Sequence, residues 1–191
     1  MVKHYVLFFI LLTAFTARAQ QPKVETPCVL LNKLVDDFPN NCKQYVGEFI
    51  RPNDDDMWSA SQNDTRFESK ITLPGARETY FYNELYREDN IFYTKFYEGS
   101  DTTQARIEYE KWHKRIEDCS YVFGTMASLE NDSDVEKKLY LYPFDITGDM
   151  AKKYHQLVME LKIFKGVKIK DNGQTVLNYT VELRVMRDRT Q

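Results

Sequence analysis

The chain has 191 residues, which is enough for one domain or two small ones. Its 26 basic and 29 acidic residues give a net charge of −3, and this balance argues against a nucleic-acid-binding protein, which presents a basic surface to phosphates. Beyond the first 20 residues no apolar run is long enough to cross a bilayer, which excludes a transporter.

The first predicted element in the chain is a leader. Lys3 and His4 precede an apolar run at residues 5–15, and the Ala-Arg-Ala triplet ending at Ala19 supplies the small residues that a signal peptidase reads. The pattern predicts a signal peptide at residues 1–19 rather than an uncleaved anchor, which needs about 20 apolar residues. We therefore expect an exported product, periplasmic or secreted, with 24 basic and 29 acidic residues and a net charge of −5.

The first predicted helix follows the leader. Thr26 is typical of an N-cap, and Pro27 is typical of a first helical turn. Apolar residues then recur at steps of three and four, which predicts a helix over residues 27–50. Pro39 removes a hydrogen bond and clashes with the preceding turn, so we expect a break near Phe38.

A polar loop and three strands come next. Residues 51–65 contain three consecutive aspartates, which fit a solvated loop better than a calcium site, since that needs alternating ligands and a glycine. Residues 67–73 alternate between two sets of side chains, and residues 79–87 and 91–98 are rich in tyrosine and phenylalanine, so all three segments are predicted to be strands. The last two are expected to pair as an antiparallel hairpin.

A second helix is predicted after these strands. Asp101 and Gln104 resemble a capping box. Residues 120–129 are apolar but alternate weakly, residues 139–143 predict a short strand, and residues 145–150 are expected to form a connection. The apolar face of the second helix comprises Ala105, Tyr109, Trp112, Ile116 and Cys119.

The last section of the chain is the most strongly patterned. Apolar residues alternate with polar ones along residues 157–163 and 177–185. Asn172 and Gly173 between them form the strongest short hairpin signal a sequence offers. We expect a long terminal β-hairpin with a bulge at Gly166.

The order of elements predicts the fold class. After a flexible segment at residues 20–26, residues 27–191 are expected to form a single α+β domain: two layers, with an antiparallel sheet of five to six strands and two helices packed on one face. Over residues 27–187 this order resembles that of small two-layer folds such as the type III secretion chaperones. The resemblance is one of topology alone and implies a fold, not a function.

Three cysteines remain after the leader, namely Cys28, Cys42 and Cys119. In an oxidising compartment an odd number allows at most one internal bridge. Cys42 and Cys119 lie on the apolar faces of two helices expected to pack on the same sheet, so the predicted disulfide is Cys42–Cys119. Three buried, unpaired cysteines are the alternative.

The sequence lacks the constellations that carry catalysis. It has no Gly-x-Ser-x-Gly elbow, no phosphate loop and no His-x-x-x-His pair, and the expected mature chain has only His113 and His155. We predict no catalytic residue, no cofactor and no metal site. Carboxylates such as Glu78, Glu84 and Glu160 leave a carboxylate-dependent hydrolase as a minor alternative.

Aromatic residues are dense in the predicted hairpin. They either fill the core and pair across strands, or form a binding surface. Our hypothesis is an exported, non-enzymatic module that binds an unknown protein or peptide partner through its sheet. The alternative is a carrier of a small apolar ligand in a pocket between helices and sheet. The candidate interaction surface comprises Tyr80, Tyr82, Tyr93 and Tyr97.

Overall fold

The computed structural model of the protein describes seven stretches of the chain. They are residues 25–51, 65–83, 89–119, 123–127, 134–143, 147–170 and 172–188. The predicted signal peptide and most of the predicted polar loop lie outside the described residues.

The described residues contain three α-helices and eight strands. The helices are α1 (Pro27–Asp37), α2 (Thr102–Glu117) and α3 (Gly148–Tyr154). The strands are β1 (Val46–Phe49), β2 (Thr65–Ser69), β3 (Glu78–Asn83), β4 (Ile91–Gly99), β5 (Phe123–Ala127), β6 (Val135–Pro143), β7 (Leu157–Ile169) and β8 (Thr175–Arg187).

All eight strands belong to one antiparallel sheet. Their spatial order is β1-β2-β3-β4-β8-β7-β6-β5, so the strands that end the two halves of the chain, β4 and β8, meet at the centre. The predicted α+β class with an antiparallel sheet is confirmed. The predicted count of five to six strands and two helices is wrong. Strand β1 lies in a segment expected to be helical, β5 lies in the weakly alternating segment 120–129, and α3 starts within an expected connection.

The first helix is shorter than predicted. Thr26 caps α1 by accepting a hydrogen bond from the backbone N–H of Val29, and Pro39 lies in a 3₁₀ turn directly after the helix. Asn41 and Cys42 then adopt left-handed backbone conformations, with φ of 61° and 53°. This reversal turns the chain into β1, so the helix predicted over residues 27–50 ends at Asp37.

The second helix matches its prediction. Asp101 caps α2 by accepting hydrogen bonds from the backbone N–H groups of Thr103 and Gln104. The helix lies over β4, β8 and β7 at the middle of the sheet. Trp112 is fully buried there and stacks on Phe96 with 3.8 Å between ring centroids.

One face of the sheet and all three helices form a single apolar core. Leu31, Phe38, Trp112 and Ile116 are at most 4% exposed and belong to this cluster, as does Tyr154 of α3. The space between helices and sheet is therefore filled at the positions where a ligand carrier would need a pocket. Among the described residues no helix is both long and apolar enough to span a membrane.

The terminal hairpin is confirmed. Gly173 has φ of 78°, as the tight turn requires, and the pairing of β7 with β8 runs without interruption from Leu157↔Arg187 to Ile169↔Thr175. The predicted bulge at Gly166 is wrong, since Gly166 pairs in register with Asn178.

The disulfide joins Cys28 to Cys119, with 5.3 Å between their Cα atoms. The predicted Cys42–Cys119 pairing is wrong. Cys28 lies in the first turn of α1, and Cys119 follows the end of α2 beside it. The left-handed turn places Cys42 elsewhere, buried and unbridged, with its thiol 3.5 Å from the carbonyl oxygen of Leu34.

Candidate interaction surfaces

The face of the sheet opposite the main core carries aromatic and charged side chains. Alternation along the strands places Tyr80 and Tyr82 of β3 and Ile91 and Tyr93 of β4 on this face. They form a small cluster separate from the core that the helices cover. We call this side of the sheet the polar face.

The structure brings three of the four predicted tyrosines together. The rings of Tyr80 and Tyr93 stack with centroids 4.7 Å apart, and Tyr82 lies 6.1 Å from Tyr80. Tyr97 lies apart, because a register shift in β4 between Lys95 and Tyr97 turns it towards the main core. Its hydroxyl donates to the backbone oxygen of Asp101, near the start of α2.

These tyrosines are largely packed against neighbouring side chains. Tyr82 and Tyr93 are each 8% exposed. The guanidinium of Arg66 lies 4.8 Å from the centroid of the Tyr80 ring, and that of Arg184 lies 5.8 Å from the Tyr93 ring. The stacked rings of Tyr80 and Tyr93 therefore each contact a cation from a neighbouring strand, and most contacts of these tyrosines are internal.

An ion-pair network continues the polar face across β7 and β8. Glu182 forms ion pairs with two cations, with its Oε1 2.7 Å from the Nη2 of Arg184 and 3.1 Å from the Nζ of Lys162. Glu160 lies 3.2 Å from the Nζ of Lys138 and 3.5 Å from that of Lys162. Glu182 and Glu160 are only 5% and 4% exposed, so the carboxylates of this network are shielded from water, whereas the side chain of Arg184 is 29% exposed. We call it the ion-pair network.

Two of the three candidate carboxylates form ion pairs with lysines. A glycosidase acid or base needs a carboxyl group that faces a substrate. Glu160 is engaged by lysines, and Glu78 lies 2.6 Å from the Nζ of Lys95, while Glu84 lies outside the described residues. Among the described residues no group of three or more histidine, cysteine, aspartate or glutamate side chains could hold a metal.

Burial raises the pKa of several tyrosines and makes the fold sensitive to alkali. Burial, aided by nearby Glu182, raises the pKa of Tyr93 far above its ordinary value of 10.0, and burial raises that of Tyr109 to about 12. Above pH 10 the unfolded tyrosines lose protons while the folded ones keep them, so the free energy of unfolding should fall as pH rises beyond 10. Below pH 10 both states hold these protons and no effect is expected.

A pH titration that follows phenolate absorbance together with circular dichroism tests whether the fold loses stability above pH 10. We expect Tyr93 and Tyr109 to ionise only as the fold is lost, and Tyr93→Phe to make the alkaline loss of stability less steep. Complete ionisation of the tyrosines near pH 10 with the folded spectrum intact would contradict the assignment.

A second surface lies at the end of the terminal hairpin. Neighbouring strands stop before the hairpin does. Strand β6 pairs with β7 as far as Phe164, followed by one hydrogen bond from the N–H of Lys165 to the carbonyl oxygen of Asp134, and β4 pairs with β8 as far as Tyr179. Residues 165–170 and 172–178 therefore extend beyond the sheet as a two-stranded ribbon. We call this ribbon the arm.

The arm carries an uncovered apolar stripe. Val167 pairs directly across from Leu177, with Ile169 on the same face, and their exposed fractions are 64%, 47% and 71%. This is the face that is buried lower in the hairpin, where Ile163 and Val181 are fully buried in the core. The apolar face thus continues past the point where the helices cover it.

The arm is the feature that sequence analysis missed as a surface. Its alternation was visible, but alternation alone assigns Val167 and Leu177 to the core. Which of these residues stay uncovered depends on where β4 and β6 end, and that is a property of the assembled sheet.

Comparisons with protein-family models, with curated proteins and with solved structures each found no match. No solved structure therefore supports the topological resemblance predicted from the sequence.

Proposed function

We propose that the chain is an exported, non-enzymatic module that binds a protein or peptide partner through its sheet, with the arm as the contact surface. The observation that carries this is the exposed apolar stripe of Val167, Ile169 and Leu177. Export is proposed from the leader pattern at residues 1–19.

The size and place of the stripe support partner binding. Complete burial of one valine, leucine or isoleucine side chain contributes roughly 1.5–3 kcal/mol, and these three are about half exposed or more. A fold that leaves three such residues together at the end of a projecting ribbon has free energy to gain from a partner. By contrast, Tyr80, Tyr82 and Tyr93 already satisfy one another and their cationic neighbours.

The experiment compares two variants in affinity capture from the extracellular or periplasmic fraction. Val167→Ser/Leu177→Ser removes much of the stripe, and Ile107→Ser removes an apolar side chain on α2 that is 53% exposed. We expect the wild type and Ile107→Ser to recover a common protein that the arm variant does not. Titration of that purified protein should then show at least tenfold weaker binding to the arm variant.

Equal recovery by all three proteins would contradict the proposal. Both variants change exposed residues, so circular dichroism of each should match the wild type and exclude unfolding as the cause. A Tyr80→Ala/Tyr93→Ala variant tests the polar face separately, and selective loss of capture there would move the contact from the arm to that face.

A further inference from the structure

The arm has an open backbone edge along β8. The N–H of Lys170 donates to the carbonyl oxygen of Gln174 at 2.8 Å, so Gln174 directs its backbone groups towards β7. Along a strand these directions alternate, so Thr175 and Leu177 direct theirs to the opposite side. There β4 has already ended at Gly99, and no strand among the described residues pairs with them.

An edge of this kind accepts an added strand. An extended peptide would pair its backbone with Thr175 and Leu177 and continue the position of β4 in the sheet. Its alternate side chains would then lie beside the apolar stripe, next to Leu177. Backbone pairing and apolar contact would thus come from the same segment.

The positive charge of the arm favours an acidic peptide segment. Lys165, Lys168 and Lys170 lie on the arm, and Asp171 is the one acidic residue in the sequence from 165 to 178. No described carboxylate pairs with Lys165 or Lys170, and the side chain of Lys168 is 63% exposed although it lies 3.4 Å from Glu98. An acidic partner would meet this excess of positive charge.

Acidic side chains near the edge are already engaged. Glu98 also lies 2.8 Å from the Nζ of Lys95, and Asp101 accepts two backbone hydrogen bonds at the start of α2. Glu98 and Asp101 therefore do not neutralise all of the positive charge of the arm, and an incoming acidic strand can pair with the remainder.

Two other occupants fit the arm less well. Insertion into a membrane would leave the backbone groups of Thr175 and Leu177 unpaired in hydrocarbon, which is unfavourable. Pairing with the arm of a second copy would bring two sets of three lysines together. A strand from an acidic partner satisfies the backbone groups and the charge at once.

We propose that the arm binds an extended acidic segment of a partner protein, with apolar residues at alternate positions, as a strand added to the β8 edge. This rests on the proposed function and names the chemistry of its partner.

The test uses capped eight-residue peptides in fluorescence anisotropy with the full folded chain. A peptide of alternating glutamate and valine is expected to bind at least tenfold more tightly than one of alternating lysine and valine. Hydrogen exchange should slow at the amides of Thr175 and Leu177 when the acidic peptide is present. Vesicles of phosphatidylglycerol and the oligomeric state of the free chain are measured alongside.

Two variants locate the contact. Thr175→Pro removes an edge N–H and should abolish binding of the acidic peptide. Lys165→Glu/Lys170→Glu should weaken it at least tenfold and favour the basic peptide, whereas Lys43→Glu/Lys114→Glu, which changes exposed lysines elsewhere, should have little effect. If Thr175→Pro fails to fold, the charge reversal still decides the question, since it removes no backbone donor.

Equal binding of both peptides, binding of neither, binding to vesicles alone or dimerisation through the arm would overturn this inference. The acidic-strand inference would fail while the proposed function stood if Val167→Ser/Leu177→Ser abolished capture of the natural partner and no acidic peptide bound. If capture survived that variant, the proposed function itself would fail.

Discussion

The double variant Cys28→Ser/Cys119→Ser is expected to lower the free energy of unfolding by about 4 kcal/mol. The bridge joins residues 91 apart in the sequence, so it closes a long loop in the unfolded chain and reduces the entropy of that state. The disulfide also connects the first turn of α1 to the end of α2. Without it, α1 is less well anchored to the rest of the fold. Urea unfolding without reductant measures the loss.

The matched control is Cys42→Ala. It keeps the bridge and removes one buried thiol, so we expect a loss of about 1 kcal/mol. The comparison separates the observed pairing from the predicted Cys42–Cys119 bridge, because that bridge would make Cys42→Ala the severe variant. A large loss for Cys42→Ala, with only a small loss for the double variant, would contradict the Cys28–Cys119 assignment.

Elements specified by local chemistry could be predicted from the sequence. Asp101 caps α2 because a short carboxylate before a helix reaches the first free N–H groups, which depends on nearby residues only. The pairing of β7 with β8 follows from the turn at Gly173 and from strict alternation on both sides. In both cases the signal lies within a few residues of the structure it determines.

Prediction failed where a backbone conformation overrode a periodic pattern. Tyr45 and Phe49 continue the helical spacing of α1, but the left-handed residues Asn41 and Cys42 reverse the chain before them. Spacing alone cannot show that reversal, because asparagine favours it only modestly and cysteine does not. The mistaken helix then placed Cys42 on a helical face and led directly to the wrong disulfide.

The predicted tyrosine surface shows the same limit within a single strand. Tyr93 and Tyr97 are four residues apart, so a regular strand would place them on one face. The register shift between Lys95 and Tyr97 instead turns Tyr97 towards the core. The burial of Tyr82 and Tyr93 was also invisible, since it depends on Arg66 and Arg184 from other strands.

Loss of one carboxylate from the ion-pair network is expected to be nearly as costly as loss of the disulfide. In Glu182→Ala, the Nη2 of Arg184 and the Nζ of Lys162 lose the carboxylate that lies 2.7 Å and 3.1 Å away. Lys138, Lys162 and Arg184 would then share the single carboxylate of Glu160. This excess of positive charge at a buried site is unfavourable, so we expect about 3 kcal/mol less stability at neutral pH. Urea unfolding followed by circular dichroism gives the value.

Glu110→Ala is the surface control, because the ion pair of Glu110 with Lys137 lies at the protein surface and should contribute less than about 1 kcal/mol. A third variant, Glu182→Leu/Lys162→Met/Arg184→Leu, replaces the charges by apolar groups of similar size and should recover most of the stability, since no charge is then left without its partner. Recovery of stability in this variant would show that the excess buried charge causes the loss of stability in Glu182→Ala. If Glu182→Ala instead cost no more than Glu110→Ala, water would be screening the network, and the polar face would be open to solvent and to a partner.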